Sequence, residues 1–225
     1  MEPTLSFVIP ILNEAERIGP LLESLQNRYP EAEIIVVDGG SQDSSVPIAM
    51  PRCDQLMISR PGRALQMNLG GQVASGEFVF FLHADTAPSV AQEDLYRELA
   101  MRPTWGFSRV RLSGGQIQFR IIERWMNQRS RFTHVATGDQ MMFVRRDIFE
   151  STQGFAGIPL MEDVEYSKRL RKLGSPRILA DPVTASSRRW EKNGILRTVL
   201  KMWCLRLAYV LGVPPRRLHQ QYYGA

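Results

Sequence analysis

A chain of 225 residues that is 44% hydrophobic and 23% charged has the balance of one sizeable folded domain, which excludes a disordered segment and disfavours two small domains. Its formal net charge of +5 favours anionic partners, but no aromatic–basic interleaving or helix-turn-helix pattern goes with it, so nucleic acid is not expected. The two cysteines, Cys53 and Cys204, are far apart and lack metal-type spacing, which excludes a disulfide framework and points to a reducing, cytoplasmic compartment.

The start, "MEPTLSFVIP", has no basic segment ahead of an apolar core and does not read as a signal peptide. The unalternating run "LSFVIPIL" (residues 5–12) predicts a strand buried on both faces. Ile18, Leu21, Leu22 and Leu25 then fall at helical spacing and predict a helix from residue 13 or 14 to 28. "EIIVVD" (33–38) predicts a second strand closed by the turn "GGSQDSS", followed by a short strand at 55–59 and a helix at 63–74. "EFVFFLHADT" (77–86) carries the next strand, 78–82, and a helix follows at about 89–100. This βαβ rhythm predicts a parallel, doubly wound sheet.

After Pro103 the rhythm loosens. "WGFSRVRL" reads as a strand, "IQFRIIERWMNQRSR" as a helix, and "GDQMMFVRR" as a strand whose helix starts at Asp147. A helix over 161–173 ends at Gly174, with Arg171 and Lys172 in its last turn. The segment 194–213 is strongly apolar but is interrupted by Arg197, Lys201 and Arg206, which argues against a bilayer span. It fits a helix packed on the domain or on a second copy in a homodimer, with a membrane-surface helix as the alternative.

Four sites fall at strand ends or loops on what should be one edge of the sheet, where open parallel sheets bind ligands. Pro10 and Asn13-Glu14 stand at the exit of the first strand, where a dehydrogenase or nucleotidyltransferase would carry a Gly-rich phosphate loop that this chain lacks. Asp38 ends the second strand, placed either to accept a hydrogen bond from a base or ribose or simply to open the turn before Gly39-Gly40. His83 and Asp85, two residues apart in extended chain, point the same way and either converge on a ligand or open a turn. Glu162-Asp163 head a helix, where carboxylates also serve as caps.

In order and spacing, "SFVIPILNE", "VVDGGSQD", "HAD" and "ED" resemble the landmarks of the family-two glycosyltransferases over roughly residues 4–190. The resemblance implies the GT-A fold, a Rossmann-like, mostly parallel doubly wound α/β sheet with flanking helices. It divides the chain into a catalytic domain at 1–190 and a C-terminal apolar helical extension at 191–225. By position it implies that Asp38 contacts the nucleotide base, that Arg63 and Asn68 belong to the donor site, and that Asp85 is the last acid of a DxD motif holding a divalent metal. Asp163 matches the general base, with Glu162 orienting it. Pro10, Asn13, Glu14, His83, Ala84, Arg189 and Trp190 complete the expected donor surroundings.

The implied reaction is inverting transfer of a sugar from a nucleotide-diphosphate donor, a UDP-sugar before a purine one, to an acceptor hydroxyl. The chain departs from the family pattern in three places. Gly39 follows Asp38 where a second Asp is common, and His83 replaces the first acid of DxD, which favours Mn²⁺ over the oxygen-preferring Mg²⁺. "SSRRW" has Ser186 where processive synthases carry Gln, so processive polymerisation is not expected. The "FLHADT" variant also resembles a subgroup of short bacterial enzymes proposed as transferases in arsenosugar or related small-molecule pathways. The competing readings are a nucleotidyltransferase, disfavoured by the missing Gly-rich loop, and a non-catalytic sugar-nucleotide binder, in which paired Glu162-Asp163 would be superfluous.

Overall fold

The computed structural model describes residues 2–224, apart from the side chains of Arg189, Asn193 and Leu196. β1 (Leu5–Ile11) is buried along its whole length, as its unbroken apolar sequence requires. It leads through α1 (Ala15–Arg28) to β2 (Glu33–Asp38), and then through α2 (Ser45–Ala49) and a 3-10 turn at Met50–Arg52 to β3 (Gln55–Ile58). α3 (Arg63–Val73) returns to β4 (Phe78–Phe81), which is also wholly buried. These four strands pair in parallel in the order β3-β2-β1-β4. α3 lies close against β1: a Cβ on Gly70 would sit 2.4 Å from Val8 Cγ1, so only glycine permits the approach.

The second half is built differently. β5 (Thr86–Pro88), α4 (Gln92–Leu99), β6 (Trp105–Leu112), α5 (Ile117–Thr133), a 3-10 turn at Gly138–Gln140, β7 (Met142–Arg145), α6 (Arg146–Ser151), α7 (Glu162–Leu170) and β8 (Arg177–Ala185) follow in turn. The sheet continues β4-β7-β6-β8-β5, with antiparallel pairs β4–β7, β6–β7 and β5–β8 and a parallel pair β6–β8. The parallel sheet expected from the βαβ rhythm therefore describes the first four strands, and β7 reverses direction beside β4. Aromatic side chains cross that seam: Phe80 lies 5.1 Å from Phe7 and 5.0 Å from Phe143, centroid to centroid.

Several expected boundaries move. The turn expected at Asp85-Thr86 is present, closed by Thr86 N–H donating to His83 O (3.0 Å), but Thr86–Pro88 then runs on as a strand, because it pairs with Val183–Ala185 almost a hundred positions away. The strand expected at "GDQMMFVRR" shortens to Met142–Arg145, since Thr137 and Gln140 form a reciprocal capping box that winds the preceding residues into a 3-10 turn. β8 was not expected at all. Its Asp181-Pro182 pair reads as a turn, but the register jumps there, Ser108 opposing Leu179 and Val110 opposing Val183, so the extra residues bulge out and the strand resumes.

The chain closes with α8 (Arg188–Asn193), α9 (Ile195–Val210) and α10 (Pro215–Tyr223), where one apolar helix was expected. Leu205 of α9 and Leu218 of α10 are buried in a cluster with Val135, Met161 and Val164. Among the described residues, no helix is long and apolar enough to cross a membrane.

Candidate active site

The exits of β1 and β2 are stitched together. The carbonyl of Val8 accepts from Leu82 N–H, so Pro10, two residues on, turns the same edge past the end of β4, where its missing N–H breaks no pair. Asn13 adopts φ 57°, a left-handed conformation Asn tolerates. Its N–H donates to Ser41 Oγ (2.8 Å) and its Oδ1 accepts from Gln42 N–H (2.8 Å). Glu14 N–H donates to Ser45 Oγ (2.7 Å), and the Glu14 carboxylate pairs with Arg17. Asp38, 2% exposed, accepts from Gly40 N–H (2.8 Å), Ser41 N–H (2.9 Å) and Ser41 Oγ (2.5 Å). Its carboxylate thus shapes the Gly39–Ser41 loop, the turn-forming role the sequence had left open. Beneath it, the buried Gln66 amide donates to both Ile11 O and Val37 O (2.8 Å each), pinning the two strand ends.

The exit of β4 carries His83 and Asp85, not in the extended chain expected of them but in a turn closed by Thr86 N–H donating to His83 O (3.0 Å). The new member is Asp139, from the 3-10 turn before β7. One potential ligand atom each from His83, Asp85 and Asp139 lies within 4.8 Å of the others. His83 is buried, and burial together with the Arg63 charge holds its pKa well below the ordinary value, so the imidazole is neutral and keeps a free lone pair. Its 3.9 Å approach to Asp139 is therefore not an ion pair. Gly138 makes room for the ring, since a Cβ there would lie 2.2 Å from His83 Cε1.

α7 begins from Met161, which is left-handed at φ 68°, an uncommon conformation for a bulky residue that sets Glu162 and Asp163 in the first turn. Neither is the cap. Asp163 Oδ2 accepts from Gly138 N–H (2.7 Å), tying the carboxylate to the loop that carries Asp139, and its Oδ1 accepts from Val164 N–H (2.7 Å). Burial raises the pKa of Asp163. Burial and the neighbouring Asp163 push Glu162 up to about 7, with Arg63 pulling the other way. His83, Thr137, Gly138, Glu162 and Asp163 line one small cavity floored by Met67, Phe81, Met142 and Phe155.

Two cations face these acids. Arg63 opens α3, and although burial works against its charge, Tyr223, Glu162, Asp139 and Asp85 together hold its proton more tightly. Arg129 of α5 has its pKa lowered by burial, against the attraction of Asp163 and Asp139. Its Nε is buried without a hydrogen-bond partner among the described residues.

Other expected members stand elsewhere. The Asn68 amide clamps the Phe155 main chain, donating to its carbonyl and accepting from its N–H at 2.8 Å each. Ala84 is buried in the main core, and Trp190 packs against Val110, Leu112, Phe119 and Ala185 rather than standing free in the cleft. The Arg189 side chain lies outside the described residues. The "SSRRW" segment does adjoin the site, since Ser186 N–H donates to Asp85 O (3.1 Å).

The family profile described as "Glycosyl transferase family 2" matches residues 6–151. The chain belongs to this family. Among curated relatives, the glycosyltransferase AglE of Haloferax volcanii is 29% identical over 199 residues, covering 76% of this chain and 62% of the relative. A PGL/p-HBAD biosynthesis glycosyltransferase of Mycobacterium bovis is 27% identical over 252 residues, covering 88% and 96%. Among solved structures, S. aureus TarS 1-349 in complex with UDP superposes with TM-score 0.63 at 18% identity, over 81% of this chain and 60% of that one. Mannosyltransferase PcManGT from Pyrobaculum calidifontis, in complex with GDP-Man and Mn²⁺, gives 0.62 at 20% identity, over 83% and 57%. At that identity the structural likeness is one of fold, and it is the GT-A fold. The chain spans less than two thirds of AglE and of either solved protein.

In this member of the family, sequence reasoning missed Asp139, Arg129 and Gln66. Asp139 was hidden by its assignment to a strand, and the capping-box residues Thr137 and Gln140 were the signal that could have exposed it. Arg129 sits in a helix with three other arginines, and nothing in its spacing marks it as the inward one.

Proposed function

We propose that this glycosyltransferase moves a sugar from a nucleotide-diphosphate donor to an acceptor hydroxyl with inversion, assisted by a divalent cation, with Asp163 as general base. The observation that carries the reading is the convergence of His83, Asp85 and Asp139 beside a buried Asp163 whose carboxylate is fixed by Gly138. The donor set fits a cation: one neutral imidazole and two carboxylates offer nitrogen and oxygen together, a combination suited to Mn²⁺ more than to Mg²⁺. When bound, such a cation supplies Lewis-acid neutralisation of the leaving diphosphate. Arg63 and Arg129 add fixed positive charge on the same side. Asp163 takes the proton of the acceptor hydroxyl as that oxygen attacks the anomeric carbon opposite the leaving group. Its raised pKa makes it a stronger base than an exposed carboxylate. Glu162 orients it.

The loops at Pro10–Glu14 and Asp38–Ser41 receive the nucleotide, with Asp38 acting through the loop it holds. A uridine donor is favoured by the neighbour solved with UDP and with UDP-GlcNAc, and GDP-Man in the other neighbour keeps guanosine as the alternative. The acceptor is a small hydroxyl compound, in keeping with the likeness of "FLHADT" to the short bacterial transferases, and the compartment is the cytoplasm.

A thermal-shift screen of sugar nucleotides with Mn²⁺ tests the reading, because a ligand of the native state raises its melting temperature. One nucleotide class should stabilise the protein only with the metal, and Asp85→Asn should abolish that stabilisation. A wild-type response in Asp85→Asn would remove the cation from these residues.

A further inference from the structure

The site leaves one large feature unused. On α5, Ile117, Ile121, Trp125 and Phe132 recur at helical spacing, and all are exposed, Phe132 by 82%. On α9, Leu200, Trp203, Leu207 and Val210 do the same, and Leu211 just beyond extends the stripe. Both helices dock their other faces on the domain: Ile195 of α9 packs on the same apolar cluster as Ile122 and Met126 of α5, and Leu205 packs with Val135, just past the end of α5. Their opposite faces are thus buried, and the two stripes are the faces left over. Exposed apolar surface on this scale marks an interaction site.

Charge identifies the occupant. α5, α9 and α10 carry nine Arg and Lys residues and a single acid, Glu123. Glu123 is buried, accepts from Leu112 N–H and pairs with Arg120, so it offers nothing negative to the outside. The rest of the chain carries 19 cations and 22 acids, so the positive charge of the molecule is concentrated on these helices. At about 100° per residue, Arg197 and Arg206 fall roughly 90° to either side of the α9 stripe. Cations flanking an apolar face in this way are the arrangement of a helix lying in a membrane interface, with the stems along the acyl boundary and the charges at the headgroups. A two-fold dimer through the same face would set its cations against their own copies.

We infer that the α5–α9 face docks on an anionic phospholipid surface, holding the glycosyltransferase at the membrane without crossing it. Flotation of the full chain with vesicles of phosphatidylcholine alone or with about 30% phosphatidylglycerol tests this. Binding is expected only to the anionic vesicles, and should fall at least about tenfold between roughly 0.1 and 1 M salt as the charges are screened. Trp203→Glu/Leu207→Glu should lower binding about tenfold or more with an unchanged melting temperature. Arg197→Gln/Arg206→Gln, which leaves every apolar contact in place, should lower it as well, and so keeps the test decisive if the first variant misfolds. Equal binding to neutral vesicles, or no vesicle binding by the full chain, would overturn the inference. So would a dimer in sedimentation that Trp203→Glu dissociates, which would make the face a contact between copies.

Discussion

The two halves of the sheet were built under different rules. In β1, β2 and β4 nearly every residue is buried, the strands run parallel, and local connections through helices join them in chain order. In β6 and β8 buried and exposed positions mix, and pairing joins residues far apart, as Gly106 to Arg177. The first half offers loops already braced against one another at Asn13, Asp38 and Ser45. The second offers the Glu162-Asp163 pair, with Asp163 tied to a distant loop through Gly138 as well as to its own helix through Val164. The contrast is between a half built from local connections and a half assembled from distant pieces of chain.

The sharpest way to break that contrast is Asp163→Asn. Asn can accept only one of the two N–H bonds that Asp163 accepts, yet the fold should survive, because Asp163 is not the helix cap. Transfer should slow by about 10²–10⁴-fold with nucleotide binding retained, measured by single-turnover assay and calorimetry. Normal turnover would move the base elsewhere.

Stability offers the next test. Phe80 touches Phe7 within the first half and Phe143 across the seam, so Phe80→Ala should cost about 3–5 kcal/mol in denaturant unfolding. Ile122, a partly buried residue of α5 itself, should lose less on the same truncation. Equal losses would mean that the two halves are packed alike.

Asp38→Ala removes the acceptor for the Gly40 and Ser41 donors and should weaken nucleotide binding by about 1–3 kcal/mol by calorimetry. Unchanged affinity would show that the loop holds its shape without it.

The smallest effect is in pH. Glu162 has its folded pKa pushed up to about 7, so its ionisation opposes folding. Its contribution is full below the ordinary carboxylate pKa of about 4.3 and is lost as pH rises through about 7. Metal-free protein should therefore melt lower at the top of that window than at the bottom, and Glu162→Gln should flatten that part of the profile. A wild-type slope in Glu162→Gln would assign it to another group.

The same division explains what could be read from sequence. β1, β2 and β4 announce themselves because burial on both faces leaves unbroken apolar runs, and α1 because Leu21, Leu22 and Leu25 share its core face. β5 stayed hidden because it exists only through β8, almost a hundred residues away, and β8 because its partners β6 and β5 are both distant in sequence, so no local signal encodes either. Within the site, His83, Asp85 and the Glu162-Asp163 pair were visible as polar residues ending apolar runs or opening a helix. Asp139 was not, because a reciprocal cap rather than a strand end positions it. Asn68 and Trp190 show the opposite error: their chemistry suits a ligand, but their contacts are with the chain itself.

The antiparallel seam between β4 and β7 has one more consequence. His83 and Asp85 leave the sheet from β4, and Asp139 enters it just before β7, so the three groups of the candidate cation site belong to opposite sides of the join. A cation gripping all three would close a loop of more than fifty residues and act as a further clasp between halves already joined by the β4–β7 ladder and by apolar packing. Unfolding either half would then forfeit the ion, and the molecule would melt as one cooperative unit with metal and more nearly as two without it.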